Sequence, residues 1–329
     1  SYPVRKVYLN EDYEPYAVQR DRAVEQLCRA SGVEFHPCKD QVIFAPPEIL
    51  KDNGEPYRVY TPYSKRWLSR LGPKDLRSFP SEKHLHQAAQ FSRAIPSLGD
   101  LGFEPSPIPV PEAVLKMQVL AEYSRNRDLP AIAGTSRLGI HLRFGSLSIR
   151  ELVKRVQPVS PVFLKELIWR EFFMQILFHY PHSATSSFDP RYDAIEWGND
   201  KKLFSAWCQG RTGYPMVDAG MRELNATGFM HNRVRMVTAS FLCKHLLIDW
   251  RWGERYFAEK LLDFDLSANV GNWQWAAGSG CDAAPYFRVF NPALQAKKFD
   301  PKGEYIKKWV PELGSLDYPE PIVNHEAAR

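Results

Sequence analysis

Apolar and polar positions alternate in VRKVYL, which predicts a strand, and the apolar spacing in RDRAVEQLCRASG predicts a helix stopped by glycine. VEFHPCKDQVIF returns to strand character. Residues 1–45 therefore read as a fragment of a parallel α/β unit, with fewer strands than a sheet needs to stand alone. From Ala45 to Pro111 the periodicity fades and prolines recur, ending in EPSPIPVPE, so 46–111 reads as a stiff connector. Beyond it a helical period takes over. Pro111 and Glu112 open a pattern through Val114, Leu115, Gln118, Val119 and Tyr123. Ser160-Pro161, a capping side chain before a proline at the first helical position, opens VFLKELIWREFFMQILFHY. Tyr214-Pro215 opens a helix that should end near Gly228. Two more are predicted from about His231 to His245 and from about Glu254 to Asp263. Residues 112–329 thus read as a large helical domain, and the fold class is α/β plus all-α.

Composition narrows the function. The 329 residues are 44% hydrophobic and 25% charged, which excludes a disordered tail. No apolar run approaches the roughly 20 residues of a membrane-spanning helix, so no membrane partner is expected. The start, SYPVRKVYLNEDYEP, has no apolar signal segment. Five cysteines (28, 38, 208, 243 and 281) never form a CxxC pair, which suits a reducing compartment and argues against zinc. A cytoplasmic protein is expected. HExxH, Walker A and GxSxG are absent, removing zinc hydrolysis, P-loop and α/β-hydrolase chemistry. The net charge of +5 permits a polyanionic partner without requiring one. Eight of the nine tryptophans lie between Trp169 and Trp309. They serve either a core of large side chains or a site that needs stacking surfaces and electron carriers.

Three constellations could carry chemistry. Glu166, Trp169 and Arg170 sit at i, i+3 and i+4 of one predicted helix. They could grip a base and its phosphate, or be an intrahelical ion pair beside a core tryptophan. In MHNRVRMVTASF, Asn232, Arg235 and Met236 share a face opposite Val234, Val237 and Phe241, and Arg233 beside them could reach a phosphate. That face is either solvated or ligand-binding. In DFDLSANVGNWQWAAGSGCDAAPYFRVFNP, Asp263, Asp265 and Asn269 precede Trp273 and Trp275. Gly278 to Ala283 matches GxGxxA, yet no strand precedes it and no βαβ unit surrounds it, so a dinucleotide fingerprint is rejected. Thr135-Ser136-Arg137-Leu138 could cradle a diphosphate or cap a helix.

The order of these pieces resembles one family. AEYSRNRD…GTSRLGIHLRFGSLS, KELIWREFF, GYPMVDAGMRELNATGFMHNRVRM and DFDLSANVGNWQW…YFRVFNP…KFD are similar to the flavin-binding domain of the DNA photolyase/cryptochrome family, from about Val114 to Leu313. The opening α/β fragment resembles the end of that family's antenna domain, and its usual first strands have no counterpart here. The resemblance implies FAD in the helical domain. It assigns the diphosphate to Tyr123, Thr135, Ser136, Arg137 and Leu138, with Gly139 where a serine is usual. It assigns the isoalloxazine to Arg235, Asp263, Asp265, Ala268 and Asn269, with Phe163, Arg170 and Asn232 also at the cofactor. Glu166, Trp169, Arg170, Asn232, Arg233, Met236, Trp275 and Arg288 match the pocket for a flipped-out pyrimidine dimer. The resemblance thus also implies base flipping, which brings a base out of the stacked duplex to the reacting groups. Trp273, Trp250 and Trp197 match the tryptophan chain that carries electrons to the flavin.

The implied activity is light-driven repair of cyclobutane pyrimidine dimers in damaged DNA by excited reduced FAD, with Glu166, Asn269 and the three tryptophans as catalytic residues. A blue-light receptor of the cryptochrome type is the alternative. Residue types favour repair: (6-4) enzymes should have histidines at 232 and 236, and receptors usually have aspartate or cysteine at 269. An antenna pigment, folate or deazaflavin, stays unassigned, because Tyr16 and Ala17 stand where polar folate contacts belong. A monomer is expected.

Overall fold

The computed structural model describes residues 3–89, 94–283 and 289–328. Its α/β unit consists of β1 (Lys6–Asn10), α1 (Pro15–Ala30) and β2 (Glu34–Cys38). The strands pair in parallel, from Lys6 opposite Glu34 to Asn10 opposite Cys38, and α1 supplies the crossover that parallel pairing requires. The second strand stops at Cys38, short of Val42, Ile43 and Phe44, which the sequence reads into it. Those three residues are buried against the helical part instead. The Glu171 carboxylate accepts the N–H groups of Ile43 (2.5 Å) and Phe44 (3.3 Å), so their backbone donors are satisfied without a ladder.

The proline-rich stretch contains α2 (Tyr60–Arg70). Its residues Tyr60, Tyr63 and Trp67 are buried, and the Trp67 indole N–H also donates to Glu171, at 2.6 Å. Next come α3 (Met117–Ala121), α4 (Tyr123–Asn126), α5 (Gly139–Arg143) and α6 (Ile149–Val156). The helix expected from Pro111 therefore begins at Met117. The Pro111 carbonyl is bonded instead to His141 Nε2 of α5, at 2.7 Å, and is not free to close a first turn.

The remaining helices are α7 (Pro161–His179), α8 (Lys201–Gln209), α9 (Pro215–Thr227), α10 (Asn232–Lys244), α11 (Trp250–Lys260), α12 (Leu266–Ala277), α13 (Pro292–Phe299), α14 (Glu304–Trp309) and α15 (His325–Ala328). Their ends follow capping chemistry. Ser160 Oγ accepts the Phe163 N–H at 3.3 Å at the start of α7, and Gly228, with φ +65°, closes α9. Asp249 accepts the Arg251 N–H at 3.0 Å, so α11 starts at Trp250 rather than near Glu254. It also ends before Asp263, which is left in the turn leading to α12.

Two apolar clusters hold the helical part together. One is built from α8 to α12 and α14 around Trp207, Phe241 and Trp250. The other packs α2, α6 and α7 around Trp67, Leu152 and Phe172. Helix α7 buries residues on several sides, as a central helix must. Among the described residues no helix is long and apolar enough to cross a membrane.

Two buried histidines make a measurable consequence. Burial pushes His231 and His245 down to about 4. His231 Nδ1 accepts the Arg233 N–H at 3.2 Å, and His245 Nε2 meets His325 Nδ1 at 2.8 Å. An imidazole with a depressed folded value contributes stability that is complete above about 6.5 and is lost as pH falls toward 4, because the unfolded chain takes the proton first. Imidazole NMR titration is expected to place both midpoints near 4. Midpoints near 6.5 would contradict this burial.

Candidate active site

A cavity of about 390 Å³ opens where the two apolar clusters meet, bounded by α7, α10, α12 and the turn at 261–265. Its size lies within the usual range for cofactor and substrate sites, about 300–1,000 Å³. Glu166, Trp169 and Arg170 of α7 line it. So do Asn232, Arg235 and Met236 of α10, Asp263 and Asp265 of the turn, and Ala268, Asn269, Trp273 and Trp275 of α12. Three segments read separately in the sequence thus converge on one space. The face predicted for α10 holds: Val234, Val237 and Phe241 are buried on its far side.

The polar groups have specific partners. Arg235 Nη2 spans both oxygens of Asp263 (3.0 and 2.9 Å) while its Nε donates to the Met230 carbonyl at 2.7 Å. Asp265 uses Oδ1 to cap α12 through the Ala268 N–H at 3.0 Å. Its Oδ2 is buried and accepts no hydrogen bond among the described residues, with the Arg143 guanidinium 3.9 Å away as an ion-pair partner. Buried acceptors are rarely left open, so this oxygen fits a ligand N–H or hydroxyl. Asn269 Nδ2 donates to both the carbonyl and the carboxylate of Glu254, at 3.0 and 2.9 Å, which turns the amide oxygen the other way. Burial pushes the Glu254 carboxyl up, opposed by that Asn269 bond.

Glu166 and Arg170 do not pair with each other, and Arg170 does not present its donors to a phosphate. Arg170 donates to the Gln41 carbonyl at 2.6 Å and to that of Leu142 at 3.4 Å. Burial pulls its guanidinium below the usual range, against the pull of Asp265. Glu166 Oε1 meets Arg127 Nη1 at 2.5 Å. Burial raises the Glu166 carboxyl, and the Arg127 charge opposes that rise. Arg233 lies outside the cavity lining. It pairs with Asp128 at 2.8 Å and lies over the Phe299 ring at 4.3 Å.

The segment 135–138 borders the site indirectly. Arg137, held at φ +54°, stacks on Phe229 at 4.1 Å, and Arg235 approaches the same ring at 5.7 Å. Gly139 lies so close to Asp263 that a Cβ there would sit 3.1 Å from the Asp263 Cβ. Leu138 and Tyr123 are buried in the second cluster with Phe163, whose ring meets Tyr123 at 4.8 Å. None of these three lines the cavity, and neither do Thr135 and Ser136. Trp273 packs on Gly253, where any Cβ would fall 2.1 Å from the indole. Its ring neighbours are Phe257 at 5.0 Å and Trp207 at 6.1 Å. Trp250 is buried beneath the Arg251 guanidinium (4.8 Å) and Trp197 is half-buried in the same cluster. Arg288 lies outside the described residues.

Sequence reasoning overlooked Arg127, Phe173 and Asn272, which line the cavity, and Glu254, which orients Asn269. The string NRD contains Arg127, but nothing local links it to Glu166, 39 residues away.

Comparisons with known proteins agree with this architecture. Residues 163–317 match the FAD binding domain of DNA photolyase, and residues 1–82 match the DNA photolyase domain. The deoxyribodipyrimidine photo-lyase of Escherichia coli is 40% identical over 99% of this chain and 77% of its own length. Two solved structures superpose well. The bacterial class III photolyase from Agrobacterium tumefaciens does so with a TM-score of 0.86 at 36% identity, over 98% of this chain and 77% of that one. The archaeal photolyase from Sulfolobus tokodaii, described with two FAD molecules, gives 0.81 at 34% identity, over 99% and 77%. Identity at this level over nearly the whole chain, in the same fold, makes this protein an enzyme of the DNA photolyase family that carries the family's FAD-binding domain.

Proposed function

We propose that the chain repairs cyclobutane pyrimidine dimers in DNA, with the dimer turned out of the duplex into the cavity. The observation that carries this reading is the convergence of Glu166, Trp169, Asn232, Met236 and Trp275 on the same space as the Arg235–Asp263 pair and Asn269. A substrate-sized acceptor and a cofactor-holding ion pair then share one pocket. When bound and reduced, FAD supplies the light-excited electron that opens the cyclobutane ring and takes it back afterwards.

The protein's part is binding, orientation and exclusion of water. Arg235 and Asp263 would hold the isoalloxazine edge, Asp265 Oδ2 would accept from the flavin or its ribityl chain, and the Asn269 oxygen would face the ring. Ala268 leaves room beside it. Thr135, Ser136 and Arg137 would meet the diphosphate, with Tyr123, Leu138 and Phe163 supporting that segment from the core. Glu166 would hydrogen-bond the dimer, with Trp169 and Trp275 as its walls. Arg288 would belong to the dimer pocket and Arg233 would meet phosphate, which makes DNA binding salt-dependent. Asparagine at 232 and methionine at 236 favour the cyclobutane lesion over the (6-4) product. The enzyme would act as a cytoplasmic monomer.

The test is blue-light treatment of an oligonucleotide with one thymine dimer, using protein reconstituted with FAD and reduced without oxygen. Intact thymines restored only in the light support the reading, whereas bound flavin with no repair favours a light receptor. The tryptophan chain has its own check. Trp197→Phe is expected to block photoreduction of oxidised flavin, followed by its absorbance, and to spare repair by chemically reduced enzyme. Loss of both would refute that assignment.

A further inference from the structure

Trp169 is held from outside its own helix by a single stacking partner among the described residues. The Tyr60 ring lies on the indole with centroids 3.6 Å apart and planes 5° from parallel. The other rings near Trp169, Phe172 and Phe173, come from the same helix, at 5.5 Å each. Tyr60 is itself fixed at both ends. Its hydroxyl donates to the Lys165 carbonyl at 2.9 Å, and its backbone N–H donates to Asp282 Oδ2 at 3.1 Å. Phe172 meets its ring edge-on at 5.8 Å. Tyr60 therefore ties the first turn of α2 to both α7 and the loop after α12, with its ring buried.

An indole offered to a base must keep its plane, because a flat contact is lost when the ring is free to turn. Covering one face with an anchored ring restricts the rotation of Trp169 while its remaining surface lines the cavity. We propose that Tyr60 is a positioning residue for substrate recognition, acting through Trp169 to present a preset stacking surface to the flipped pyrimidine dimer. This rests on the reading of Trp169 as a dimer contact. An aromatic pair of this kind is worth roughly two- to tenfold in an equilibrium, so the effect should appear in affinity for damaged DNA rather than in the chemical step.

The experiment measures dissociation constants of FAD-loaded full-length protein, in the dark, for one duplex with a single thymine dimer and for the same duplex undamaged. Tyr60→Leu is expected to weaken binding of the dimer about fivefold, with undamaged DNA and flavin content unchanged. Tyr60→Phe, which keeps the ring and loses only the Lys165 anchor, should bind much closer to the parent than Tyr60→Leu. In a Trp169→Leu background, Tyr60→Leu should add nothing, because the two residues act as one unit. If Tyr60→Leu fails to load flavin, Tyr60→Met fills the volume without a plane and is read the same way. Equal losses on damaged and undamaged DNA, additive losses in the double variant, or parental binding by Tyr60→Leu beside a weakened Trp169→Leu would overturn the inference alone. Parental binding by Trp169→Leu would overturn the reading of Trp169 as a dimer contact, and the inference with it.

Discussion

Replacing Glu171 by leucine is expected to cost several kcal/mol of stability, the largest effect foreseen for any single side chain here. The carboxylate is buried at 2% exposure and accepts from the Ile43 and Phe44 backbone and from the Trp67 indole. Burial alone raises its pKa, and these three donors oppose the rise. Leucine fills the space but leaves all three N–H groups without an acceptor, at about 1–3 kcal/mol each. Typical domains are stable by only about 5–15 kcal/mol, so the variant should unfold at a much lower denaturant midpoint. Glutamine, which keeps one acceptor, should fall between. Urea titration by circular dichroism decides it. A loss below about 1 kcal/mol would mean that the donors find other partners. The consequence extends beyond stability. The same carboxylate joins the segment after β2 and helix α2 to α7, so the α/β unit should loosen against the helical part.

Glu166→Gln is expected to lower the repair yield about tenfold or more at saturating damaged DNA, with flavin absorbance unchanged. A hydrogen bond to a charged group contributes about 1.5–3 kcal/mol, and 1.36 kcal/mol is a factor of ten in rate. Only a bond that strengthens as negative charge develops on the dimer would act on the yield rather than on binding. The Arg127 contact matters here, because burial raises the Glu166 pKa and the Arg127 charge opposes that rise. Removing that guanidinium with Arg127→Met should raise the Glu166 pKa further, so activity should fall off at a higher pH on the acid side. Loss of flavin in Glu166→Gln would place Glu166 at the cofactor instead of the substrate.

Legibility in the sequence follows the range of the interaction responsible. Helices α7, α9 and α10 are readable because their signals are local. Ser160-Pro161, Tyr214-Pro215 with Gly228, and the spacing of Val234, Val237 and Phe241 act within a few residues of the backbone they shape. The start of α11 was missed although its cap, Asp249, is also local. The helix expected from Pro111 failed for a different reason, since its first carbonyl is taken by His141 from another helix. Strand character at Val42 to Phe44 was overruled in the same way by Glu171, far along the chain.

The chain by itself determined which residues share a helical face, because the period of the backbone puts i, i+3 and i+4 together whatever surrounds them. That is why Glu166, Trp169 and Arg170, or Asn232, Arg235 and Met236, could be grouped before any fold was known. Their partners were decided only in three dimensions. Glu166 with Arg127, Arg233 with Asp128, Arg170 with the Gln41 carbonyl and Trp169 with Tyr60 are pairs across elements. Periodicity carries no information about such pairs. They form because burying the apolar sides of α2, α7, α10 and α12 brings their polar edges within hydrogen-bonding distance, where each desolvated charge or donor must find a partner.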